Sequence, residues 1–236
     1  MINHHPEQNQ LSQFVQGSLS PAESFIVSAH CDLCPRCRKI ASEETSRFAA
    51  EVFDFSSLSQ DEQLESYSAM LADITQLPAT AKPATKAASA SSITAKRGRG
   101  EKTIELDGQT FELPPTLQRV IHKTGSWSGL VGKLWQAPVD LGYAGVANFI
   151  YMGRGGSVPE HTHRGVEYTL VLDGEFHDGK HHYRTGDFVM MDGKDTHAPY
   201  SDHISGCLVF TLLDEPLHFT SGIARLLNPF SHLFFR

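Results

Sequence analysis

Two hydrophobic rhythms divide this chain. In the first 77 residues the apolar positions fall at the three-to-four spacing that lines one face of a helix. Leu11, Phe14 and Val15 mark a short opening helix that stops before Gly17. Ser20, Pro21 and Glu23 supply an N-cap, a first-turn proline and a capping-box partner, which predicts a helix from Ser20 to about His30. Pro35 opens the next helix, with Cys34 and Cys37 around its first turn. Ser59 and Glu62 form a second capping box ahead of a helix through about Gln76, with Leu64, Tyr67, Leu71 and Ile74 at helical spacing. Four such helices make a thin core, and domains of that size often need a staple.

The second rhythm belongs to residues 103–236. "GVANFIYM", "VEYTLVLDGEF", "GDFVMMDG" and "GCLVFTLL" are short β-branched and aromatic runs cut by Gly, Asp and Pro. They predict an all-β sandwich or barrel. Between the two rhythms, residues 78–102 read "PATAKPATKAASASSITAKRGRGEK", with almost nothing large and apolar to offset the entropy of ordering. The expectation is two domains: an all-α domain at 1–77 that folds without the barrel, a flexible basic linker at 78–102, and an all-β domain at 103–236.

Charge sharpens this division. Residues 1–77 carry net −7, the linker +5 and residues 103–236 −5. An acidic helical domain is not a DNA binder, because phosphate neutralisation needs Lys and Arg. It suits a basic surface on another protein. No apolar run approaches the roughly 18 residues of a membrane span. The opening "MINHHPEQNQ" lacks the basic and apolar regions of a secretory signal, so the cytosol is the expected compartment. Cysteines are few (Cys31, Cys34, Cys37 and Cys207) against thirteen histidines, and in a reducing compartment that favours metal ligation over disulfides.

Two constellations carry chemistry. His30, Cys34 and Cys37 form H-x3-C-x2-C, three ligands of a tetrahedral site; the fourth is His4 or His5 from the N-terminal arm. Cys31, next to His30, has to point away. A C-x2-C redox pair is the bland alternative, but the motif lacks the strand that precedes it in a thioredoxin-like unit. The second constellation is G-x5-H-x-H-x3-E-x6-G with Gly155, His161, His163, Glu167 and Gly174, followed by Gly186 and His197 in G-x10-H. Strand alternation puts His161 and His163 on one face, with Glu167 and His197 arriving from later strands. Three imidazoles and a carboxylate suit Zn, Fe, Mn or Ni. His177, His181 and His182 flank a Gly-Lys turn and read as solvated; His122, His203, His218 and His232 stand alone.

Together these motifs resemble the ChrR-type zinc anti-sigma factors, in which a zinc-binding anti-sigma domain precedes a C-terminal cupin (a double-stranded β-helix). The resemblance covers the His-His arm, H-x3-C-x2-C, the linker and both cupin motifs, in that order. It implies zinc held by His5, His30, Cys34 and Cys37, the second histidine of the arm being the ligand, and a second zinc at His161, His163, Glu167 and His197. It implies a regulator and not an enzyme, whose partner is an extracytoplasmic-function sigma factor kept from core RNA polymerase, with release under oxidative stress such as singlet oxygen and a part for the cupin. No direct nucleic-acid or membrane contact is implied. One departure stands out: where cupins place P-x-G before the last histidine, this chain has Asp192 and Lys194. The competing reading is a metal-dependent cupin dioxygenase or isomerase with a fused zinc domain, which leaves the N-terminal cluster without a purpose.

Overall fold

The computed structural model describes residues 1–53, 60–76, 102–130, 133–143, 145–215, 217–220, 222 and 225, without the side chains of 60–66. Almost all of the expected linker, the Ser59 cap and His232 lie outside the described residues. Four helices come first: α1 (Gln8–Gln16), α2 (Pro21–Leu33), α3 (Pro35–Val52) and α4 (Gln60–Gln76). α1 ends on Gly17 in the left-handed conformation, and α2 carries the expected capping box, the Ser20 hydroxyl accepting the Glu23 amide while Glu23 accepts that of Ser20. α2 runs past His30 to Leu33, and Cys34 follows as its C-cap.

The later residues form β1 (Thr103–Leu106), β2 (Gln109–Glu112), the short α5 (Pro115–Gln118), and then β3 (Ser128–Leu130), β4 (Leu134–Val139), β5 (Val146–Met152), β6 (Gly156–Ser157) and β7 (His161–Thr162). After these come β8 (Glu167–His177), β9 (His182–Arg184), β10 (Phe188–Met191), β11 (Thr196–His197), β12 (Tyr200–Ser201), β13 (Cys207–Leu213) and β14 (His218–Phe219). The main sheet has the order β3-β4-β5-β13-β8-β12-β6, with β9 and β10 also on β8, and a small sheet β11-β7-β14 completes the curled antiparallel half-barrel. Gly174 in β8 is a motif glycine with a purpose: its φ is 76°, and a Cβ there would lie 2.0 Å from the Gly206 carbonyl oxygen.

β13 is buried along its whole length, which explains why it reads as the continuous run CLVFTLL and not as an alternation. Cys207, Val209 and Leu213 face the barrel interior with Ile150, Met152 and Val171, while Leu208, Phe210 and Leu212 face outward into a second core. That second core is shared with the N-terminal helices through Leu11, Ile26, Val27 and Ala29. The Phe25 ring lies 5.9 Å from that of Phe210, and the Tyr168 hydroxyl donates to Glu23 at 2.5 Å. Asp32 accepts the Thr116 amide at the start of α5.

Contacts therefore group residues 1–44 with 100–236 as one compact unit and residues 45–99 as another, and not at the expected breaks of 77 and 102. The reason is that α2 is apolar on more than one side. It serves both the helices around it and the outer face of the sheet.

Candidate metal centres

The first cluster gathers His5, His30, Cys34 and Cys37, with one ligand atom from each lying within 4.8 Å of the others. Local sequence places three of them. His30 is in the last turn of α2, Cys34 sits between the helices, and Cys37 is in the first turn of α3. The Cys34 sulfur accepts the Cys37 amide at 3.5 Å, so it caps α3 as a serine oxygen would. His5 arrives from the extended arm, with Nδ1 at 3.5 Å from the Cys34 sulfur and 3.4 Å from that of Cys37. His4 goes elsewhere: its Nδ1 lies 3.4 Å from a carboxylate oxygen of Asp187. Cys31 is buried outside the cluster, and all four cysteines are free thiols.

The second cluster gathers His161, His163, Glu167 and His197 under the same limit. β7 holds His161, and His163 follows directly beyond its end. Thr162 between them turns the other way, its hydroxyl donating to the Asp195 carbonyl at 2.8 Å. Glu167 opens β8, and His197 comes from β11, which pairs with β7 so that His197 stands opposite His161. The turn ahead of His197 lacks P-x-G and is built by aspartates instead. Asp192 Oδ1 accepts the Lys194 amide at 2.8 Å, and Asp195 Oδ2 accepts the Asp192 amide at 3.0 Å.

Both clusters pass a test of fit for a cation. His30 is fully buried, yet neither ring nitrogen has an aligned partner. An unmet buried imidazole is costly, and a metal meets that need. In the second cluster His161 Nδ1 donates to the Pro159 carbonyl at 2.8 Å, which leaves Nε2 with a bare lone pair. That Nε2 lies 2.8 Å from Nε2 of His197, which lies 3.1 Å from Nε2 of His163. Three imidazole nitrogens converging so closely, one of them with its lone pair fixed inward, suit a shared positive centre. Glu167 contributes in the same direction: Thr169 donates to Oε1, while Oε2 has no aligned partner despite lying 3.1 Å from His163 Nδ1.

Electrostatics agree with the geometry. Burial first, and then neighbouring imidazoles, lower the pKa of His161 to about 3, and burial lowers His163 to about 4. His197 is lowered to about 4 by burial and His163, and His30 to about 4 by burial and His5. All four rings are thus neutral at pH 7, the form that ligates. Burial pushes the Cys37 thiol up and raises Glu167 to about 7, the environment of anionic ligands that lack their cation. Beside the second cluster is a cavity of about 40 Å3, lined by His161, Glu167, Thr169 and His197 on one side and by apolar residues such as Ile150 and Val209 on the other.

Among the described residues the other histidines join neither cluster, though the His177 ring lies 5.3 Å from that of His182. His181, His182 and His122 are exposed, and His203 bonds to the Ser205 hydroxyl. The acceptor that sequence reading missed is Asp187, a fully buried acid in a hydrophobic run. Its position one residue after the motif glycine Gly186 was the available signal.

Comparison with known proteins adds a family to this geometry. Residues 119–215 match the ChrR cupin-like domain, so the barrel is a cupin. The chain is 29% identical over 230 residues to the anti-sigma-E factor ChrR of Cereibacter sphaeroides, spanning 97% of this chain and 98% of that protein. It is also similar to a chain in the crystal structure of Rhodobacter sphaeroides SigE in complex with the anti-sigma ChrR, with a TM-score of 0.61, 25% identity, and coverage of 91% of this chain and 100% of that one.

Proposed function

We infer that this chain is an anti-sigma factor of the ChrR type, which binds an extracytoplasmic-function sigma factor and keeps it from core RNA polymerase. The observation that carries this reading is similarity to an anti-sigma factor along 97% of the chain, beside two four-ligand clusters. Surface chemistry supports it. Phe48, Val52 and Phe53 are exposed, as are Tyr67, Met70, Leu71 and Ile74 of α4. An apolar face left in water marks a binding surface. The net charge of −7 over residues 1–77 suits a basic protein surface and not nucleic acid.

Functionally, residues 1–77 form the sigma-binding part, 78–102 the linker and 103–236 the sensory cupin, although residues 1–44 share a core with the barrel. Zinc is the metal at both sites. Two sulfurs and two imidazoles at His5, His30, Cys34 and Cys37 would hold one ion, and three imidazoles and a carboxylate at His161, His163, Glu167 and His197 would hold the other. Bound there, each ion would cross-link the elements that carry its ligands. The cavity of about 40 Å3 beside the cupin site has room for a few waters, far below the roughly 300 Å3 of a substrate pocket, which supports a regulator and not a dioxygenase or isomerase.

No helix among the described residues is long and apolar enough to cross a membrane, and the proposed partner places the protein in the cytoplasm. The sigma factor is released under oxidative stress, singlet oxygen included, with the cupin taking part. Co-expression with an extracytoplasmic-function sigma factor from the same genome tests the reading. The two proteins should co-purify, and a sigma-dependent reporter should be silenced until the stress is applied. A reporter equally active with and without this chain sinks it.

A further inference from the structure

Among the four members of the first cluster, His30, Cys34 and Cys37 come from the continuous α2–α3 segment, whereas His5 sits in the extended arm ahead of α1. A ligand on a loose arm loses conformational freedom each time it binds, so a site of this kind gains from having the arm held in place beforehand. The structure shows what holds it. Asp187, fully buried between β9 and β10, accepts the amide of Asn3 at 2.7 Å and that of His4 at 3.0 Å on one oxygen. Its other oxygen accepts the Arg184 amide at 2.8 Å and lies 3.4 Å from His4 Nδ1. The Phe188 amide then donates to the His4 carbonyl at 3.1 Å, so the arm adds a strand-like rung to β10, whose neighbour in the sheet is β8.

Side chains complete the grip. Gly186 has a φ of 92°, and a Cβ there would lie 2.4 Å from Cδ1 of Ile2. The His4 ring packs 4.7 Å from Tyr183, and the His30 ring 5.8 Å from Phe188. The Gly186 backbone also approaches His30, off hydrogen-bond alignment. One turn of the barrel thus touches the arm on one side and a second ligand of the cluster on the other. Burial opposes the charge of Asp187, but the amides of His4, Arg184 and Asn3 outweigh it and hold the pKa below the ordinary 3.8, so the group is a carboxylate at pH 7.

We propose that Asp187 is a positioning residue for the N-terminal metal site: a latch on the cupin rim that docks the arm and presents His5 to His30, Cys34 and Cys37. The first site is then built jointly by the helices and the barrel, and the cupin has a direct hold on the metal that ties α2 to α3. This rests on reading the His5 cluster as a metal site. An asparagine is a poor replacement, because its NH2 group would face an N–H donor at one of the two oxygens.

The test uses the full chain, stripped of metal and reloaded with Co(II). Thiolates occur in the first cluster and not in the second, so the sulfur-to-cobalt charge-transfer band reports the first site alone. Chelator competition compares the natural chain with Asp187→Ala, Asp187→Asn and a chain lacking Ile2 and Asn3; Cys34→Ser/Cys37→Ser gives the zero of the band. Both Asp187 variants and the shortened arm should weaken the thiolate site by about 10- to 100-fold, as loss of an outer-shell partner does, while the cupin cobalt holds its affinity. If Asp187→Ala fails to fold, the shortened arm decides, since it leaves the barrel untouched. Natural affinity at the thiolate site in the shortened chain overturns the latch, and so does an equal loss at both sites, which marks a general effect on the fold. A natural chain with no thiolate band overturns the metal reading itself, and the latch with it.

Discussion

At the scale of single residues, the two clusters predict separable losses. Cys37→Ser should reduce metal content from about two ions per chain to about one and loosen the α2–α3 junction, since structural zinc can contribute on the order of 10 kcal/mol to folding. His161→Ala should remove the other ion and leave the first. Elemental analysis with thermal melts checks both, and loss of both ions from either variant would contradict separate sites. Glu23 supplies a pH effect. Burial opposes its charge, but hydrogen bonds from Tyr168 and Ser20 prevail and hold its pKa below 4.5. A lowered acid stabilises the fold above its unfolded pKa and loses that contribution as pH falls through the folded value. Urea midpoints should therefore drop as pH falls below about 4.5, and less steeply in Glu23→Gln.

At the scale of elements, α4 is where propensity and burial part company. Tyr67, Leu71 and Ile74 have helical spacing, and the helix forms at Gln60–Gln76, yet Leu71 and Ile74 are 59% and 58% exposed. If this face is the sigma-binding surface, Leu71→Asp with Ile74→Asp should weaken sigma binding at least 10-fold, measured by titration, with metal content unchanged. The spacing predicts an amphipathic helix and does not state what covers its apolar face. The Asp192–Asp195 turn teaches the converse. Its departure from P-x-G pointed to a different turn, and side-chain acceptors build one that still delivers His197 opposite His161.

At the scale of the molecule, the shared core is what matters. Phe149, Leu208, Phe210 and Leu212 of the sheet are covered by the same cluster that holds Ile26 and Val27 of α2. A barrel fragment of residues 100–236 should expose that outer face and forfeit about 1.5–3 kcal/mol for each large apolar side chain laid bare. It should melt well below the full chain and bind hydrophobic dye at low temperature. A fragment as stable as the whole would show that the helices contribute little to the barrel.

The sequence by itself determined whatever short spacings control. Period and capping placed the helices, β-branched and aromatic runs cut by Gly, Asp and Pro placed the strands, and H-x3-C-x2-C and H-x-H-x3-E are each short enough for local backbone geometry to carry the side chains to a common point. Tertiary structure decided what no local period encodes. His4 and His5 are equivalent on an extended arm, and only Asp187, more than 180 residues away, takes His4 aside and leaves His5 to the cluster. Likewise, the apolar positions of α2 announce that it is buried, but not that part of what buries it is a β-sheet. Hydrophobic burial is non-directional, so the pattern states how much surface must be covered; the packing states by what.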